Sequence, residues 1–233
     1  MNLLVGTSGY SYKEWKGSFY PEKLPAREML SFYSSKLPTV EINNTFYRLP
    51  QKSMLENWQM QVPKGFRFVL KAPQRITHFK RLKDVGDETK YFLDTASVLG
   101  EQLGVVLFQL PPNMKKDLER LKDFVQLLSP QGRAAFEFRH PTWFDNDVLE
   151  LLSAHNLPLC VSDTDDLPAS HIDRTANWGY VRLRRVNYPE EALRQWLELI
   201  QNQKWQDVFV FFKHEDEGTG PRLARQFLDM AVS

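Results

Sequence analysis

The chain has 233 residues, 42% hydrophobic and 25% charged, with a formal net charge of +1. That balance describes an ordinary globular chain, and it excludes a protein whose whole surface is an electrostatic glove for nucleic acid or an acidic membrane. A single cysteine, Cys160, excludes an intramolecular disulfide; set in the apolar run from Leu157 to Val161, it reads as a small buried hydrophobe.

From the amino end, Met1-Asn2-Leu3-Leu4-Val5-Gly6 carries no basic leader or cleavage site. No apolar run approaches the roughly 20 residues of a membrane-spanning helix, so a cytoplasmic protein without membrane contact is expected. A strand over Leu3–Thr7 precedes a helix over Ala26–Lys36, and a strand over Thr39–Asn43 precedes a helix over Ser53–Gln61. The rhythm repeats as strand Arg67–Ala72 with helix Glu88–Gly100, strand Val105–Leu110 with helix Lys116–Leu128, and strand Ala134–Arg139 with helix Asn146–His155. Strand Leu157–Asp163 is followed by a connection, Thr164 to Trp178, that has no helical period. Strand Tyr180–Arg184 with helix Glu190–Gln201 and strand Asp207–Lys213 with helix Pro221–Met230 complete the series. Ser53 and Asp145 suit N-caps, and Pro221 suits a first helical turn.

Eight strands alternating with helices, in a chain slightly shorter than the roughly 250 residues typical of the fold, predict a (β/α)8 TIM barrel: one α/β domain over 1–233 with few insertions. The competing doubly wound sheet normally carries G-x-G-x-x-G after its first strand, and Gly6-Thr7-Ser8-Gly9 lacks that spacing.

In a barrel, alternate strand residues face the interior, and ligand chemistry is built at the carboxyl ends of the strands. If the apolar members face the helices, Glu41, Asn43, Lys71, Gln109, Glu137, Arg139, Asp163, Arg182 and Arg184 point into the mouth. A cluster of both signs is expected to be mutually paired, solvated or occupied by ligand. Arg139 and Arg182 offer planar forks for a carboxylate or phosphate, with Asn43, Gln109 and Asp163 orienting it. Glu41 and Glu137 are the acid/base candidates, and Lys71 is a candidate cation or Schiff-base amine. Ser8 does not match a nucleophile elbow, so Thr7 and Ser8 are placed as anion-binding residues of the first loop. The expected ligand is small and anionic or sugar-like, such as a sugar phosphate or a nucleotide-like compound, and no cofactor is required.

Two alternatives stay open. A divalent metal held by His78, His140 and His214, which follow strands three, five and eight, would make the protein a metal-dependent phosphoesterase or nuclease-like hydrolase. Aromatics such as Phe46, Tyr47, Trp143 and Phe144 beside arginines would instead suit a non-catalytic module for nucleic acid or another protein.

Several ordered motifs carry a family resemblance. They include Gly6-Thr7-Ser8-Gly9-Tyr10, Glu41-Ile42-Asn43-Asn44-Thr45-Phe46-Tyr47-Arg48-Leu49-Pro50, Lys71-Ala72-Pro73, Gln109-Leu110-Pro111-Pro112, and Glu137-Phe138-Arg139-His140-Pro141 with Trp143-Phe144. Across nearly its whole length the chain resembles the YecE-like proteins, a domain of unknown function numbered 72. The resemblance implies a TIM barrel and no assigned reaction. The chain departs from the commoner family pattern at Arg182-Leu183-Arg184-Arg185, where many members read Arg-Leu-His-Gly, and at Phe212-Lys213-His214-Glu215-Asp216.

Overall fold

A computed structural model describes residues 1–128, 133–169 and 171–232. Eight parallel strands form the sheet: β1 (Asn2–Ser8), β2 (Thr39–Ile42), β3 (Arg67–Lys71), β4 (Leu103–Gln109), β5 (Ala134–Glu137), β6 (Val161–Asp163), β7 (Gly179–Leu183) and β8 (Asp207–Phe212). They run in the order β5-β4-β3-β2-β1-β8-β7-β6. The ring closes between β5 and the approach to β6, where Phe136 N–H donates to the Pro158 carbonyl at 3.1 Å and Cys160 N–H donates to Phe136 at 2.7 Å. The expected (β/α)8 TIM barrel is therefore the fold.

Outside the sheet lie α1 (Met29–Ser34), α2 (Asn44–Tyr47), α3 (Lys52–Gln61), α4 (Gly86–Ala96), α5 (Leu118–Val125), α6 (Asn146–Ala154), α7 (Glu190–Gln201) and α8 (Thr219–Val232). The short α2 had no counterpart in the periodicity, and among the described residues no helix joins β6 to β7. Asp145 caps α6 by accepting from Asn146 N–H, as expected. Ser53 is not a cap: α3 starts one residue earlier, at Lys52, and is flanked by Gln51 with no side-chain cap bond. None of the described helices is long and apolar enough to cross a membrane.

Strand alternation sorts the residues into two cores. Val5, Val40, Phe68, Leu70, Phe136, Val181 and Val210 face the helix layer. Leu4, Val69, Val105, Leu107, Ala135, Cys160, Tyr180, Phe209 and Phe211 fill the barrel itself. The barrel is thus packed below, and its upper layer is where polar residues enter. Gly6 lets β1 approach β2, since a Cβ there would lie 2.0 Å from the Thr39 carbonyl oxygen.

Candidate functional site

Above the apolar plug, the inward parity of β2, β4, β5 and β7 brings Glu41, Gln109, Glu137 and Arg182 to one level. Adjacent strands align Gln109 with Glu137 and Ser162 with Arg182. All four of the first group are at least 97% buried. Arg182 bridges the two carboxylates: Nη2 donates to Glu41 Oε1 at 2.8 Å, and Nη1 donates to Glu137 Oε2 at 2.6 Å. Other donors also reach all four carboxylate oxygens. Tyr180 O–H donates to Glu41 Oε2 at 2.6 Å and Asn43 Nδ2 to Glu41 Oε1 at 3.2 Å. Gln109 Nε2 donates to Glu137 Oε2 at 2.8 Å, and Arg139 Nε donates to Glu137 Oε1 at 3.2 Å.

This network decides the charge states. Burial alone would raise both carboxyl pKa values, but Arg182 and the hydrogen bonds outweigh it. Glu41 lies below the usual carboxylate range, and Glu137, beside Arg139 as well, is brought down to about 2. Two ionised carboxylates suit a base or an electrostatic partner, and not a proton donor near neutral pH.

Lys71, inward-facing at the end of β3, forms no ion pair with either carboxylate, whose four oxygens all accept from other donors. Its Nζ lies 4.0 Å from the Phe46 ring centroid. Burial, then the Arg182 charge, lower its pKa to about 8 against the opposing pull of Glu41 and Glu137. The Arg184 side chain makes no hydrogen bond or ion pair among the described residues; its Nε is buried without a partner, and burial and Arg182 lower its pKa. Four cations (Lys71, Arg139, Arg182, Arg184) against two anions (Glu41, Glu137) leave two positive charges uncompensated when Lys71 is protonated.

Beside this cluster a cavity of about 580 Å³ opens between the ends of β5, β6 and β7. Glu137, Arg139 and Arg184 form one wall, and Asp166 and Asp173 lie on the connection that forms another. Phe144, 48% exposed, stands at its lip. A larger groove of about 1020 Å³ lies on the helix layer between α1 and α8. It contains none of the inward-facing polar residues.

Several sequence-based placements need correction. Thr7 faces the helix layer: its N–H donates to Tyr33 O–H at 2.9 Å and its Oγ1 to the Gly9 carbonyl at 2.6 Å, so neither is open to an anion. Ser8 does face inward, buried beside Glu41, whose pKa its hydroxyl helps to lower. Asp163 also faces outward, because Cys160 rather than Val161 belongs to the barrel core. It accepts from Ala169 N–H at 2.9 Å, Arg185 at 2.7 Å and Tyr188 O–H at 2.8 Å, and so ties together the connections after β6 and β7. Ser162 takes the inward place expected of Asp163.

The three histidines do not converge. His78 touches Phe46, and burial and Lys71 lower its pKa to about 4. His140 accepts from Thr142 N–H at 3.3 Å and caps the turn before Trp143. His214 Nε2 lies 2.6 Å from the Arg185 carbonyl. Among the described residues, no three His, Cys, Asp or Glu side chains are grouped to hold a metal ion. Tyr180 was missed altogether, since a tyrosine in an apolar run looks like core and its carboxylate partner lies 139 residues away.

The chain matches the family model described as "Protein of unknown function DUF72" over residues 4–233. It is 25% identical to the UPF0759 protein YunF of Bacillus subtilis over 269 aligned positions, covering 98% of this chain and 94% of that protein. It is 32% identical over 116 residues to the UPF0759 protein YecE of Escherichia coli, covering 49% of this chain and 43% of that one. Among solved structures, a DUF72 family protein from Thermotoga maritima superposes with a TM-score of 0.87 at 27% identity, covering all of both chains. One from Enterococcus faecalis gives 0.77 at 19% identity, covering 100% of this chain and 98% of that one.

Proposed function

The chain belongs to the DUF72 family, and from the site its barrel builds we propose that the mouth binds a small anionic, polyhydroxylated ligand of the sugar-phosphate or nucleotide class. The observation that carries this reading is the pair of guanidinium groups, Arg139 and Arg184, on one wall of an open cavity, with the Arg184 Nε buried and unpartnered. Arg139 and Arg184 take the anion as planar donors, and Lys71 adds a compact charge. Arg182 is held back by its two carboxylates and sets the field of the mouth rather than reaching the ligand. On the opposite wall, Asp166 and Asp173 accept from hydroxyl groups, while the Phe144 face covers the apolar side of a sugar or base. Those two carboxylates are the reason to favour a hydroxylated anion over a bare one.

An enzymatic role is part of the proposal, with Glu41 and Glu137 supplying fixed negative charge and base character and Lys71 the reactive amine. A cytoplasmic setting is proposed with it, since the buried thiol of Cys160 needs no oxidising compartment. The test is thermal unfolding with a panel of inorganic phosphate, sugar phosphates and nucleotides. A ligand at about 100 times its Kd adds about 2.7 kcal/mol. That is about 5–10 °C for a chain of this size. Arg184→Ala together with Arg139→Ala is expected to abolish the shift. A panel with no stabilising member, or a shift that survives both substitutions, refutes the assignment.

A further inference from the structure

We propose that Lys71 is a nucleophilic amine that captures the carbonyl carbon of an anionic aldehyde or ketone as an imine, the anion resting on Arg139 and Arg184. The proposal deepens the anion-binding reading and rests on it, by naming the ligand's reactive group.

Glu41 and Glu137 are the carboxylates whose charge acts on Lys71. A lysine beside two buried carboxylates ordinarily pairs with one of them and stays protonated. Here Arg182, Asn43 and Tyr180 occupy both oxygens of Glu41, and Arg182, Gln109 and Arg139 occupy both oxygens of Glu137. The Lys71 amine makes no ion pair or hydrogen bond among the described residues, and its Nζ stands over the face of Phe46 at 4.0 Å. Arg182 acts against a positive charge on this amine, and so does Arg139, which also lines the cavity.

With its pKa near 8, about half of the Lys71 amine is neutral at that pH. For an ordinary lysine with a pKa near 10.4 the neutral fraction is roughly one in 250. Burial against an aromatic ring and beside other cations is a recognised way of activating a lysine for this chemistry.

The step balances without a redox partner. The Nζ lone pair forms the N–C bond, the carbonyl π pair moves to oxygen, and a proton passes from nitrogen to that oxygen through water to give the carbinolamine. A second proton from water lets the hydroxyl leave as water, and the nitrogen lone pair closes the C=N bond as a protonated imine. The anionic group does not react; it holds the carbonyl within reach, as positioning requires.

The experiment uses the full chain with glyceraldehyde 3-phosphate, dihydroxyacetone phosphate and pyridoxal 5′-phosphate, each reduced in place with sodium borohydride, which delivers hydride to the imine carbon and leaves a stable secondary amine. Intact mass and peptide mapping read the product. The expected result is one saturable adduct per chain, on Lys71, formed ahead of the other lysines, with a pH dependence centred near 8 and competition by inorganic phosphate. Lys71→Arg keeps the charge and is expected to lose the adduct. Labelling spread over surface lysines, or an adduct unchanged in Lys71→Arg, overturns the proposal. Stabilisation by phosphate with no Lys71 adduct also overturns it while leaving the anion site standing. Absence of both overturns the two together.

Discussion

Arg182→Met removes the cation from between two buried carboxylates, and the cost can be worked from the wild-type charge states. Glu137 is brought from 4.5 down to about 2, a difference worth about 3 kcal/mol at 1.36 kcal/mol per unit. Breaking a buried pair by deleting one partner costs about 3–5 kcal/mol, the same order. The sign of the pH dependence separates this cause from simple loss of packing. In the wild type both carboxyls are depressed, so their contribution is complete above the unfolded value near 4.5 and is lost only as pH falls toward 2. It is therefore flat between pH 5 and pH 8. In the variant, burial is no longer outweighed, and the carboxyl pKa values rise above the unfolded value. Stability is then present at acid pH and is lost as pH rises. Urea denaturation followed by tryptophan fluorescence is expected to give a loss of about 3 kcal/mol near pH 5, widening toward about 5 kcal/mol near pH 8. Adding Glu41→Gln and Glu137→Gln to Arg182→Met is expected to flatten the pH dependence. A loss of less than about 1 kcal/mol, or one equal at the two pH values, would refute the reasoning, since it would mean that the pair behaves as a solvated surface bridge.

Tyr180→Phe deletes the 2.6 Å bond to Glu41 and is expected to cost about 1.5–3 kcal/mol by denaturation, less in a Glu41→Gln background. Gly6→Ala forces β1 from β2 and is expected to lower stability by about 1–3 kcal/mol or more, read as a drop in the urea midpoint. His78, depressed to about 4, adds stability above its unfolded value near 6.5 that is lost as pH falls toward 4; an NMR titration of its ring protons checks the midpoint, which Lys71→Met is expected to raise. Asp163→Ala frees Arg185, Tyr188 and Ala169 together, and limited proteolysis is expected to cut within residues 164–168 faster than in the wild type.

The barrel was legible because its strands alternate cleanly where they matter. Val40-Glu41-Ile42, Phe136-Glu137-Phe138 and Val181-Arg182-Leu183 each place one polar residue between two that belong against the helices, so facing followed from parity. Parity failed on β6 for the same physical reason it worked elsewhere: Leu157, Leu159, Cys160 and Val161 are apolar on both faces, and nothing in that run marks which side Asp163 takes. Thr7 misled differently, since a hydroxyl in a glycine-bounded turn looks like a ligand group until Tyr33, 26 residues away, is seen to claim it. That no helix joins β6 to β7 among the described residues could be read in advance, as residues 164–178 have no apolar period.

The pairing within the mouth was not legible, and it changes what the residue types mean. A list of two acids and four bases suggests mutual neutralisation, with Lys71 as the natural partner of Glu41. Geometry assigns the acids otherwise: one planar guanidinium spans both carboxylates, because Arg182 can donate from two nitrogens at once and a lysine cannot. The compact ammonium is displaced from the ion pair and set over an aromatic face, where burial costs it part of its charge. Arg182→Lys therefore tests the whole arrangement more sharply than removal of the charge. The substitution replaces two donor nitrogens with one, so the bonds of 2.8 and 2.6 Å to Glu41 and Glu137 are not both expected to persist; a carboxylate oxygen released to Lys71 is expected to raise its pKa from about 8 toward the ordinary value near 10.4. The pH midpoint of borohydride trapping reads that rise directly, and a midpoint unmoved by Arg182→Lys would mean that the double bridge is not what keeps Lys71 free.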